Sequence, residues 1–204
     1  MPNNSEKIKK YLSFGTDDFY MIQIIKRRKD NPGMPRGEAI IRTFYVESLE
    51  QYEMLVPTLI GVCDYENARA YIRLNRRNYK KIGLQVVKRV VDYIASDNNR
   101  AIKNVFDSVA GEFSSETDKK WLIDVDDLDN TNVGNVFKLH SICGVLKELQ
   151  IQTNREPLTD MLLTKSGVHI ITRPFNAKTF KEMYPDISIH KSAMTLIYCP
   201  DENN

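Results

Sequence analysis

Residues 119–130, KKWLIDVDDLDN, decide the fold of the second half of the chain. The run from Trp121 is apolar enough for a buried strand, yet carboxylates occupy alternate positions in it. Because side chains alternate across a strand, Asp124 and Asp126 point to one face and Asp127 to the other. Two like charges on one face are costly unless a cation lies between them. The stretch therefore predicts either a divalent-metal site or a strand that ends in a solvated acidic turn.

Helical and strand patterns alternate around this stretch. The segments 19–28 and 38–46 are rich in β-branched and aromatic residues, and the turn-forming loop KDNPGMPRG joins them as an antiparallel hairpin. The further predicted elements are a short helix at 49–55, a strand at 69–75, helices at 79–95 and 100–110, a strand at 121–126, a helix at 132–149, a strand at 167–172, a short helix around 177–183 and a strand at 193–199. This order predicts an α+β (mixed α/β) protein.

The predicted elements fall into two groups. Residues 1–110 form an N-terminal α/β unit with basic strand ends, and residues 111–204 form a β-α-β-α-β unit that carries the acidic and His motifs. Together they are expected to make one compact globular body. The strands that carry Asp124, His169 and Cys199 are expected to be neighbours in one sheet.

Composition narrows the classes of protein. The formal net charge is only +2, so any grip on nucleic acid must come from local patches. No apolar run is long enough for a membrane span, and the N-terminus lacks a signal peptide, which predicts a cytoplasmic protein with no membrane partner. The three cysteines form no Cys-x-x-Cys pair, which argues against a structural zinc site.

A second polar segment suits phosphate. Lys165, Ser166 and Gly167 offer a cation, a hydroxyl and an unhindered backbone N–H, His169 follows in the strand, and Arg173 extends the positive lining. The alternative is a tight turn that opens a strand.

The order of the motifs resembles that of the archaeo-eukaryotic primase superfamily, which carries an Asp-x-Asp motif, a Ser-x-His-like motif and a later hydrophobic-Asp motif on an RRM-like sheet. The matches here are Asp124 and Asp126, then Gly167-Val168-His169 with Ser166 beside it, and Asp201 after LIYCP. The resemblance implies an RRM-like catalytic sheet over 111–204. It also implies catalytic roles for Asp124, Asp126 and His169, and Mg²⁺ or Mn²⁺ held by Asp124, Asp126 and Asp201.

Basic residues gather at the ends of the predicted N-terminal strands. Cations position a phosphate backbone, and interleaved tyrosines can stack on bases. The candidate nucleic-acid-binding residues are Arg27, Arg28, Arg73, Arg76 and Arg77. The alternative is an ordinary solvated face.

Two functions of different classes follow. The first is a metal-dependent nucleotidyltransferase of primase-polymerase type, active in replication, with a nucleoside triphosphate and single-stranded nucleic acid as partners. Lys165, Ser166 and Arg173 bind the substrate phosphates in this interpretation. The second is a non-catalytic nucleic-acid-binding protein, encoded by a phage or mobile element, that keeps the fold without the chemistry. A structural or assembly protein is a third possibility.

Overall fold

The computed structural model describes residues 2–35, 37–126, 133–150, 156–192 and 194–201, and helices alternate with strands along these ranges. The strands are β1 (Asp18–Arg27), β2 (Glu38–Val46), β3 (Arg69–Arg73), β4 (Arg77–Asn78), β5 (Trp121–Asp126), β6 (Thr159–Leu163), β7 (Gly167–Thr172), β8 (Ser188–His190) and β9 (Met194–Tyr198). The helices are α1 (Ser5–Lys9), α2 (Leu49–Glu66), α3 (Tyr79–Ala95), α4 (Val105–Glu112), α5 (Val133–Gln150) and α6 (Ala177–Met183), with a 3-10 helix over Asn99–Asn104. The predicted α+β class is confirmed. None of the helices in these ranges combines the length and apolar character needed to cross a membrane.

The first sheet has the strand order β2-β1-β3-β9, and β4 pairs with the start of β1. All of these pairings are antiparallel, which confirms the predicted hairpin of β1 and β2. The central strand β1 is buried on both faces from Phe19 to Ile25. Ile22 and Ile24 belong to the same core as α2, whereas Phe19 and Met21 belong to a core with α3 and α4.

Helix α2 extends from Leu49 to Glu66 and is longer than the predicted helix at 49–55. The Ser48 side chain accepts a hydrogen bond from the backbone N–H of Gln51 and caps the first turn. The predicted range ended before Pro57, and a proline inside a helix removes one helical hydrogen bond. The helix continues because Tyr52, Leu59 and Cys63 are buried on its inner face, and packing of such a face outweighs local propensity.

The second sheet has the strand order β6-β7-β5-β8, again with antiparallel pairing. The strands predicted at 121–126 and 167–172 are β5 and β7, and they are neighbours as expected. Ile123 and Val125 pack with α5 and α6 on one face. Leu122, on the opposite face, joins the core of the first sheet. The face of β5 that carries Asp124 is therefore the face that meets the first sheet.

The prediction that the last strand joins β5 and β7 is wrong. β9 pairs with β3 in the first sheet, where Leu196 lies opposite Tyr71. An apolar pattern indicates that a strand is buried but does not specify its partner, and β3 offers an open edge. The last strand of the predicted second unit thus belongs to the first sheet.

Candidate metal and phosphate site

A cleft of about 150 Å³ lies where the two sheets meet. The second sheet supplies its acidic and His side chains, and the first sheet supplies its cations. The cleft is lined by Arg27, Lys29, Arg69, Tyr71, Asp124, Asp126, Thr164, Ser166, His169 and Leu196. One wall therefore carries carboxylates and the other carries positive charge, an arrangement suited to a metal-bound polyanion.

Asp124 and His169 face one another across the β5–β7 pair. They are direct partners in the antiparallel register, and His169 Nε2 lies 3.5 Å from Asp124 Oδ1. The other ring nitrogen, Nδ1, lies 3.0 Å from Thr195 Oγ1 of β9. The imidazole is thus held from both sides, by one residue of each sheet.

Burial shifts the pKa of both the His169 imidazole and the Asp124 carboxyl. Burial, with a smaller electrostatic effect of His190, lowers the pKa of His169 to about 4. Burial and the neighbouring charge of Asp126 raise the pKa of the Asp124 carboxyl above its ordinary value. At neutral pH His169 is therefore a neutral imidazole, and the paired carboxylates repel one another.

Gly167 permits the close approach of β7 to β5 beside the carboxylates. It lies opposite Asp126 in the register, and a Cβ at this position would lie 2.1 Å from the backbone oxygen of Val125. Any side chain here would force the two strands apart. The glycine in the His motif is thus required by the strand pairing that places Asp126.

The donor set fits a hard divalent cation. Asp124 and Asp126 present two carboxylates on one strand face beside a phosphate-sized cleft. In proteins Mg²⁺ commonly binds one or two carboxylates, and waters and substrate phosphates complete its coordination shell. Within the described ranges no group of three or more His, Cys, Asp or Glu side chains is placed to hold a metal ion. The remaining coordination positions would have to come from water and substrate.

Asp201 does not line the cleft. It follows β9 of the first sheet and is exposed, so it does not join Asp124 and Asp126 as the third carboxylate that the resemblance implied. Asp127, the predicted outward-facing carboxylate, lies outside the described residues.

The predicted phosphate segment forms the turn between β6 and β7. The backbone N–H of Thr164 donates to Gly167 O at 2.9 Å, and Ser166 lines the cleft. Lys165 does not line it, but its Nζ lies 2.8 Å from Asp30 Oδ1. The segment is therefore a tight turn that places the Ser166 hydroxyl at the cleft and directs Lys165 to Asp30.

Arg173 lies away from this site, contrary to its predicted role. It follows the far end of β7 from Gly167, and its Nε lies 3.1 Å from Asp118 Oδ1. Its backbone N–H also donates to Gln150 Oε1. Its position after the strand end, away from the cleft, makes it a structural ion-pair residue.

The predicted nucleic-acid-binding residues separate into two groups. Arg27 lines the cleft at the end of β1, and Arg28 is exposed beside it. The second group, Arg73, Arg76 and Arg77, lies toward the start of β1, because Arg77 pairs with Phe19. Eight residues of β1 separate these positions, a distance of about 26 Å at 3.3 Å per residue. Only the first group adjoins the carboxylates.

Arg77 cannot contact nucleic acid, and its prediction is wrong. Its side chain is fully buried, and its Nε donates to the carbonyl of Ala110 at 2.8 Å. A second hydrogen bond goes to Asn75 O. Burial, with the nearby charge of Arg73, lowers the pKa of Arg77 to about 9. Its guanidinium ties the segment after β3 to the end of α4.

The other two arginines of this group are also engaged in the fold. Arg76 lies 3.1 Å from Asp18 and 3.4 Å from Glu116. Arg73 is half-buried and donates to Ser192 O at 2.8 Å. Neither belongs to the cleft, although each was singled out for its charge.

Two contributors to the site were missed in the sequence. Arg69, the first residue of β3, lines the cleft, and Thr195 of β9 holds His169. The alternation of Arg69, Tyr71 and Arg73 along β3 was a signal for a basic face, because residues two apart share a face. Thr195 gave no signal, since its neighbour in space comes from another sheet.

Comparisons with protein families, with curated proteins and with solved structures found no match to this chain.

Proposed function

We propose that the chain is a metal-dependent nucleotidyltransferase of primase-polymerase type, which acts on nucleoside triphosphates and a nucleic-acid strand with Mg²⁺ or Mn²⁺. The observation that supports this most is the meeting of Asp124, Asp126 and His169 with a basic wall in one cleft. The first two motifs of the resemblance meet there. The third does not, since Asp201 follows a strand of the other sheet.

The size of the cleft indicates which part of a nucleotide it holds. Pockets that enclose whole drug-sized ligands measure roughly 300 to 1,000 Å³, whereas this cleft measures about 150 Å³. It suits the triphosphate, and the sugar and base would lie outside. Arg27, Lys29 and Arg69 supply the attraction for that polyanion.

Each remaining residue has a role set by its chemistry. Asp124 and Asp126 would hold the metal, which stabilises the attacking and leaving oxygens of an in-line displacement when it is bound. His169 is a neutral imidazole at pH 7 and has a single N–H. With Nδ1 accepting from the Thr195 hydroxyl, Nε2 carries that N–H and would donate it to a phosphate oxygen. Ser166 and Thr164 offer hydroxyl groups to the same oxygens.

The reaction joins the strand to the nucleotide. The 3′-hydroxyl oxygen of the strand forms a bond to the α-phosphorus, the bond from that phosphorus to the β-phosphate oxygen breaks, and pyrophosphate leaves. The hydroxyl proton passes to solvent. The chain's own residues contribute by positioning and by charge, which supply most of the rate enhancement in phosphoryl transfer.

A second candidate is a non-catalytic nucleic-acid-binding protein. The observation that favours it is the lack of a third protein ligand beside Asp124 and Asp126 in the described ranges. In this case Arg27 and the exposed Arg28 would contact the phosphate backbone, and no nucleotide would be incorporated.

Calorimetric titration with Mn²⁺, with and without a nucleoside triphosphate, tests the metal site. The wild type should bind Mn²⁺, and a variant with Asp124→Asn and Asp126→Asn should not. Metal at 100 times its dissociation constant should stabilise the wild type by about 2.7 kcal/mol. The matched control is Asp92→Asn with Asp97→Asn, which removes the same charge from exposed positions at the end of α3. Equal Mn²⁺ uptake by wild type and the Asp124/Asp126 variant would refute the site.

Extension of labelled strands separates the two candidate functions. The wild type should add nucleotides to a primed or unprimed single-stranded template, and His169→Ala should weaken nucleotide binding while Mn²⁺ uptake is retained. Binding of single strands with no incorporation under any metal would instead support the second candidate.

A further inference from the structure

Asp30, in the loop after β1, is a buried carboxylate that joins three parts of the fold. Its side chain is only 5% exposed. Arg69 of β3 binds it through two nitrogens, Nε to Oδ2 at 2.8 Å and Nη2 to Oδ1 at 2.7 Å. Lys165, in the turn between β6 and β7, contacts Oδ1 at 2.8 Å. One carboxylate therefore fixes a cation from each sheet.

The backbone around Asp30 is held independently of these cations. The side-chain amide of Asn67 donates to Asp30 O at 2.9 Å, and the amide of Asn31 donates to Asn67 O at 2.9 Å. Asn67 itself ends α2 in a left-handed conformation, with φ of 46°. Because the loop is anchored on α2, the carboxylate is a fixed point around which the cations are oriented.

The arrangement leaves positive charge available to the cleft. Arg69 uses Nε and Nη2 for Asp30, and among the described residues Nη1 is the guanidinium nitrogen left to meet a ligand in the cleft that Arg69 lines. The second contact of Asp30, to Lys165, ties the loop that holds Arg69 to the second sheet. Burial alone would raise the pKa of Asp30, but the hydrogen bonds and charges of Arg69 and Lys165 outweigh it and hold that pKa below its ordinary value.

We propose that Asp30 is the positioning residue of the phosphate site, a carboxylate that orients Arg69 toward the polyphosphate of the substrate and ties it to Lys165 of the other sheet. This inference rests on the proposed function and names a residue that none of its motifs contains. Without Asp30, the guanidinium of Arg69 loses the two contacts that fix its orientation. It then lacks the fixed geometry that makes a bidentate group strong.

The direction of the change in polyphosphate affinity on replacing Asp30 makes the inference testable. Removal of a negative charge near a cleft strengthens the binding of an anion if only Coulomb's law matters. Positioning predicts the opposite, a weaker binding of polyphosphate in Asp30→Asn. A general loss of structure would weaken all ligands alike, whereas loss of positioned cations weakens tripolyphosphate more than orthophosphate.

The experiment measures the binding of inorganic tripolyphosphate and orthophosphate, without metal, to wild type and variants. Asp30→Asn should bind tripolyphosphate about tenfold more weakly, with a smaller change for orthophosphate, and should take up Mn²⁺ as wild type does. Asp30→Glu should recover part of the loss. The control is Asp160→Asn, which removes another carboxylate, bound by Lys10 and Tyr11, that does not line the cleft. It should bind tripolyphosphate as wild type does.

The outcomes distinguish a failure of the positioning role from a failure of the proposed function. Unchanged or tighter tripolyphosphate binding in Asp30→Asn overturns the positioning role and leaves the nucleotidyltransferase proposal standing. An equal loss in Asp160→Asn overturns it as well. A wild type that binds no tripolyphosphate, with or without Mn²⁺, removes the proposed function and this inference together.

Discussion

Replacement of Gly167 by alanine tests whether the close approach of β5 and β7 builds the site. The new Cβ would lie 2.1 Å from Val125 O and 3.0 Å from the Cα of Asp126. Carbon and carbonyl oxygen atoms in adjacent strands normally keep roughly 3.3 Å, so the strands must separate by about an ångström. Both clashing atoms belong to the backbone and cannot rotate away.

The expected loss is about 3 kcal/mol of unfolding free energy. Overpacking of a fixed site costs about 1 to 3 kcal/mol, and a backbone group left without its ladder partner costs about 1 to 3 kcal/mol. For a chain of this size the loss corresponds to a fall of roughly 6 to 12 °C in melting temperature. Because the distortion falls next to Asp126, Mn²⁺ affinity should fall as well.

Urea denaturation of Gly167→Ala and Gly144→Ala provides the comparison. Gly144 lies on α5, and a Cβ added there would meet no atom within 4 Å among the described residues outside its own stretch of helix. Alanine there should be neutral or stabilising by up to about 1 kcal/mol, because alanine is the better helix former. A Gly167→Ala protein within about 0.5 kcal/mol of wild type would refute the reasoning.

Three further predictions concern the charged residues. Arg77→Ala should lower the unfolding free energy by about 3 kcal/mol, because it removes a fully buried side chain and its two hydrogen bonds. Calorimetry on the folded variant should nevertheless find unchanged affinity for single strands. Arg28→Ala with Lys29→Ala should leave stability unchanged and weaken strand binding. The slope of log K against log salt concentration should become shallower by about 0.7 for each phosphate that the variant no longer neutralises. An unchanged slope would show that these charges form only a solvated face. Asp30 should stabilise wild type relative to Asp30→Asn above the unfolded carboxyl pKa of about 3.9. Its folded pKa is lowered, so this advantage is lost as pH falls through that value, and denaturation curves that stay equally far apart at acid pH would contradict it.

The parts of the site that could be predicted are those set by local alternation. Asp124 and Asp126 share a face because they are two residues apart, and His169 meets them because neighbouring apolar strands pair. The bond between Arg69 and Asp30 could not be found in this way, because it joins residues far apart in the chain. No periodic pattern marks such a pair.

The errors have a common physical origin. Charge predicts exposure, yet Arg77 is buried, where two backbone carbonyls accept hydrogen bonds from its guanidinium. Apolar character predicts burial, yet it did not reveal that β9 pairs with β3. In both cases tertiary partners, which a single sequence does not display, decide the outcome.

The pairing of β9 with β3 has a consequence for synthesis on the ribosome. β3 emerges more than a hundred residues before its partner, so one edge of the first sheet waits unpaired while the second sheet is made. An open edge is a template for association with other nascent chains. Thr195 also arrives after His169, so the imidazole acquires its second contact only when the closing strand docks. A nascent chain arrested before β9 should therefore be prone to aggregate and lack an ordered His169.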